Sequence, residues 1–144
     1  NRIDDEMRRA AQQADATTLA VVESAIDRTT LGGGVFAQVL GRDHSRMLDP
    51  AAQPAGSRTC SNRFQQPLLD YLAARVPQAR KRDEAAALQG LLGLAAQRAR
   101  ALAVLRASVS LQARLQLWLY LHIPLTIGLI AALLVHILTV FLYW

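Results

Sequence analysis

From Leu115 to Trp144 the chain runs for 30 residues without an Asp, Glu, Lys or Arg. About 20 such residues cross a hydrocarbon core of roughly 30 Å as a helix, so this run predicts a transmembrane helix. Upstream, from Asp83 to about Gln116, the chain is rich in Ala, Leu, Gln and Arg, lacks proline and has acidic residues only at its start, which predicts one long helix. Leu88, Ala95, Leu102 and Val109 repeat every seven residues, with Leu92, Ala99 and Ala113 on the adjoining seam and Arg106 interrupting it. Two readings stand side by side: a short, imperfect coiled coil, or an amphipathic face packed on another subunit. Helix and span are continuous. Pro124, which removes a backbone donor and crowds the carbonyl of Tyr120, is the one place where a bend is expected.

The N-terminal part is less regular. A helix is predicted from about Asp4 to Asp27, with Asp4, Asp5 and Glu6 at its positive end and a weak apolar stripe through Ala14, Thr18, Val21, Val22 and Ile26. Thr29-Thr30 and Gly32-Gly33-Gly34 stop it; the glycines lack the Lys and Ser/Thr of a phosphate loop and read as a flexible joint. Residues 41–67, with Asp49-Pro50, Pro54, Gly56-Ser57 and Pro67, read as an irregular segment laid over a partner. A further helix runs from Pro67 to Arg75 and ends before Pro77. The expected fold is all-α: an N-terminal helix (1–30), an irregular segment (31–66), a helical stalk (67–114) and a single C-terminal transmembrane helix (115–144) paired with a second copy or with partner helices.

The uncharged run nevertheless holds two ionisable side chains, His122 and His136, fourteen positions apart. That interval is about 1400°, some 40° short of four turns, so both imidazoles lie on nearly one face, roughly 21 Å apart along the axis. Trp118 and Tyr120 mark one end of the span and Phe141, Tyr143 and Trp144 the other, as amphipathic rings do at the two headgroup levels. With Ala131 as the midpoint, His122 lies roughly 13 Å to one side and His136 roughly 7 Å to the other. A polar group left alone at such depth costs several kcal/mol, so each histidine is a functional-site candidate. The plainer readings are an interfacial His122 reaching headgroups and a His136 bonded to a carbonyl of a neighbouring helix. Gly128, Ala131 and Ala132 let a helix or a macrocycle approach closely, although Gly128 and Ala131 point away from the histidine face.

The stretch Leu121-His122-Ile123-Pro124-Leu125, then Leu134-Val135-His136-Ile137 and an aromatic end, resembles the haem-bearing helices of membrane b-type cytochromes. The resemblance covers residues 115–144. In that family two histidines thirteen or fourteen residues apart on one helix each ligate a different haem, clamped by a matching pair on a second helix. It implies that His122 and His136 are axial ligands of haem iron, that about two haems b are held per pair of helices, and that the chain relays electrons across a bilayer between redox partner proteins or quinol. This chain departs from the pattern in having one span and no second histidine pair, so the other ligands come from a second copy or another haem-ligating helix. The alternative is a tail-anchored structural subunit of a larger membrane complex, with no cofactor.

All 16 Lys and Arg and all 11 Asp and Glu precede the span, a balance of +5. Arg75, Arg80, Lys81, Arg82, Arg98, Arg100, Arg106 and Arg114 approach the membrane and nothing basic follows it, which places the N-terminal part in the cytoplasm and the span in the cell inner membrane. These arginines lack interleaved aromatics, so they read as facing anionic lipid rather than nucleic acid. The single cysteine, Cys60, excludes an intrachain disulfide and a Cys-only cluster, and Ser61-Asn62-Arg63 after it excludes covalent haem c attachment. His44 and Cys60 are too few for a metal site. No catalytic residue is assigned, because no nucleophile, base and orienting acid stand together.

Overall fold

The computed structural model describes residues 2–31, 38–40, 42–52 and 58–143. Gly32-Gly33-Gly34, Gly41, Pro54, Gly56-Ser57 and Trp144 lie outside the described residues. The fold is all-α apart from one short hairpin, as the sequence pattern predicts.

The N-terminal helix is two helices, α1 (Arg2–Ala14) and α2 (Ala16–Asp27). The break is at Asp15, whose backbone is extended and whose carboxylate accepts from Thr18 N (2.7 Å) and Thr18 Oγ1 (2.8 Å). This is an N-cap: the side chain satisfies donors that the first turn of a helix cannot satisfy internally. The two helices fold back on each other, burying Met7 and Ala11 against Val21, Val22 and Ala25.

The segment expected to be irregular holds an antiparallel pair, β1 (Arg46–Leu48) and β2 (Thr59–Ser61), with Met47 opposite Cys60. It covers the chain's own helices: Met47 enters the core and Leu48 N donates to Ser24 Oγ (2.9 Å). Strands of three residues are too short to show alternation, which is why the pattern missed them. After a turn at Phe64 and Gln65, both at positive φ (55° and 63°), α3 runs from Gln66 to Arg75 with Pro67 in its first turn.

The last element, α4 (Arg82–Tyr143), is 62 residues long and continues through Pro124; at 1.5 Å per residue it extends for about 93 Å. It has two parts. Over its first turns Leu88, Leu91, Ala95 and Leu102 are buried, and α1 and α3 pack on this face. The heptad positions Leu88, Ala95 and Leu102 are therefore consumed inside the chain. At these three positions the apolar stripe is covered by the chain's own head, formed by α1, α2, the β1–β2 pair and α3. From Leu115 to Tyr143 every residue is exposed, and this part is long and apolar enough to cross a membrane.

Candidate cofactor-binding helix

His122 and His136 both stand on the exposed part of α4, with no hydrogen-bond partner for either imidazole among the described residues. The indole of Trp118, one turn earlier, stacks on the His122 ring with centroids 4.3 Å apart and planes 14° apart. Residues at i and i+4 share a helix face, so the indole covers one side of the imidazole and restricts its rotation while leaving the ring edge accessible. Below it, Pro124 leaves the Tyr120 carbonyl without its usual donor. Thr126 and Thr139 turn their hydroxyls inward, donating to the carbonyls of His122 (2.8 Å) and Val135 (2.7 Å). Both hydroxyls are thereby satisfied within the helix, whereas the two imidazoles make no hydrogen bond among the described residues. Next to His122 an open concavity of about 540 Å³ is lined by Pro124, Leu125, Thr126, Gly128 and Leu129. A Cβ at Gly128 would meet nothing within 4 Å, so no intrachain contact demands glycine there.

No three His, Cys, Asp or Glu side chains gather among the described residues, and His122 and His136, roughly 21 Å apart along the axis, do not meet each other. Cys60 packs half-buried against the core; burial and the charge of Asp49 push its thiol above the ordinary range, which lowers its thiolate fraction.

Arg98, Arg106 and Arg114, expected to face lipid, are instead bound by the head. Arg98 is buried, donating from Nε to Asp4 Oδ1 (2.7 Å) and from Nη1 to Thr29 Oγ1 (3.2 Å) and Gln65 Oε1 (3.0 Å). Arg106 meets Asp43 Oδ2 (3.0 Å) and Ser45 Oγ (3.1 Å). Arg114, the last charge before the span, donates to the Val39 carbonyl (3.4 Å). Asp43 is fully shielded and also accepts from Ser45 N (2.9 Å), Ser45 Oγ (2.6 Å) and Phe64 N (2.6 Å). Burial alone would raise its pKa, but these bonds and the Arg106 charge outweigh burial and hold the carboxyl below its ordinary value. Together these contacts fasten the head to α4 down to the edge of the span.

Compared with family models, curated proteins and solved structures, the chain matches none. The functional reading rests on the residues themselves.

Proposed function

We propose that this chain is a membrane-anchored, dihaem b-type electron-transfer subunit, a single pass in the cell inner membrane with its head in the cytoplasm. The observation that carries the reading is the pair of available imidazoles, His122 and His136, on one uninterrupted helix face that bears no charge. Each would offer one imidazole nitrogen to a haem, and a second helix would offer the other. Two haems b per helix pair, one nearer each membrane face, supply one-electron chemistry between redox partner proteins or quinol. The chain's own work is positional. Trp118 holds the His122 ring, the helix sets the ligands roughly 21 Å apart, and the apolar side chains between them exclude water. The donor set suits non-covalent haem, because Cys60 stands alone and lies in the head. The arginines before the span support the cytoplasmic head.

The test is electron passage in proteoliposomes by His122→Leu and His136→Leu. Each variant removes one station of the relay, so each is expected to abolish reduction of an acceptor on the far side while still inserting, since leucine is favourable at either depth. Wild-type electron transfer and haem content in both would make the histidines packing residues and leave the anchoring reading.

A further inference from the structure

The buried face of the stalk and its uncovered face lie on opposite sides of α4. At 100° per residue, the buried positions Leu88, Leu91, Ala95, Arg98 and Leu102 centre roughly 150° away from Val104, Ser108, Leu111 and Leu115. Val104 is 67% exposed, Leu111 60% and Leu115 60%, and Val104 and Leu111 precede the uncharged run. Trp118 continues the strip, and His122 and His136 lie within about 40° of it. Spacings of four and three residues alternate along 104, 108, 111, 115, 118 and 122, which is the seam of a left-handed helix pair, and fourteen residues is two of its heptads. Winding to 3.5 residues per turn removes the drift of a straight helix and sets both imidazoles on the same side.

We infer that this strip is the docking face of a second copy of this chain, parallel and in register from Val104 to His136. The sequence argues for a copy in three ways. Two chains of identical sequence insert with the same orientation, so parallel pairing is the arrangement open to them. In that register each seam residue meets its own mate, so one pairing completes both histidine pairs at once. The flanks do not repel, because Arg100 falls opposite Leu105 of the other copy, and Arg114 opposite Leu119. Among the described residues the head packs on the far side of the helix and reaches the flank of the strip at Arg114, through the Val39 carbonyl. The inference names the partner of the proposed haem site, and its pairing of the histidines rests on that reading; the stalk contact stands on the exposed strip alone.

The experiment uses the full chain in isolated membranes, in a Cys60→Ser background, with Val104→Cys, Leu111→Cys or, as an exposed off-face control, Ala103→Cys. Mild copper-phenanthroline oxidation is followed by non-reducing electrophoresis, and haem content is measured on the same membranes. Val104→Cys and Leu111→Cys are expected to form disulfide-linked dimers at least tenfold more than Ala103→Cys. All three sites are exposed, so the substitutions leave the head intact. No dimer at positions 104 and 111, or an equal yield at 103, overturns the inference; haem retained in that case means that a helix of different sequence supplies the other ligands. Site-selective dimers in haem-free membranes uphold the pairing and refute the haem reading instead.

Discussion

Asp43→Asn tests how the head is fastened to the long helix. The carboxylate has no solvent exposure; its Oδ1 accepts from Ser45, while its Oδ2 accepts from Phe64 N and pairs with Arg106. An amide of the same shape keeps one acceptor and puts an N–H₂ donor where a carboxylate oxygen stood, facing two donors or one depending on its orientation. Breaking a shielded pair by altering one partner costs about 3 kcal/mol at the lower end of what such changes cost. For a head of this size that lowers the thermal midpoint by roughly 15 °C, read by calorimetry of the full chain in detergent. The pH dependence has a definite sign. A carboxyl whose folded pKa lies below its unfolded value contributes fully above that unfolded value, and the contribution is lost as pH falls from the ordinary 3.8 through the folded pKa. The wild-type midpoint therefore drops more steeply in that acid window than the midpoint of Asp43→Asn. Arg106→Met combined with Asp43→Asn should cost less than the sum of the two single changes. A midpoint for Asp43→Asn within about 2 °C of wild type would refute the clamp.

Arg98→Met leaves Asp4 and the Gln65 carbonyl without their charged donor in a buried setting, so calorimetry should show a loss of about 3 kcal/mol; a change under about 1 kcal/mol would place Arg98 among idle surface charges. Cys60, half-buried with its thiol pushed up, should alkylate at pH 8 at least tenfold more slowly than in the urea-unfolded chain, and equal rates would contradict its packing against the core.

Features written in local composition were legible from the sequence. The uncharged run marked a helix long and apolar enough to cross a membrane, Pro67 marked the start of α3, and the proline-free stretch after Asp83 gave the long helix. Asp15 was harder, because an Asp followed three residues later by Thr also suits a continuous amphipathic helix; the cap appears only once α1 turns back on α2. The seven-residue repeat through Leu88, Ala95 and Leu102 correctly marked a buried stripe, but periodicity does not say what covers it, and the cover is the chain's own head. The strip through Val104 and Leu111 was overlooked for that reason: it became visible once the first face was occupied. The Arg98 contact with Asp4 joins residues 94 positions apart, a distance at which composition carries no signal. At the site, the two histidines and their spacing were readable, whereas the stacking of Trp118 on His122 required the rotamers of both rings, and Trp118 read only as an interfacial anchor.

In the proposed function His122 and His136 each hold a haem with a matching imidazole. Absorption spectra of the protein purified from haem-replete membranes, oxidised and dithionite-reduced, test it most directly, together with haem quantified after acid-acetone extraction. The expected result is a low-spin, six-coordinate b-type spectrum, haem fully extractable because no thioether bond is possible, and about one haem per chain from the two sites shared by each helix pair. A colourless preparation would contradict the claim and leave the C-terminal helix as a membrane anchor.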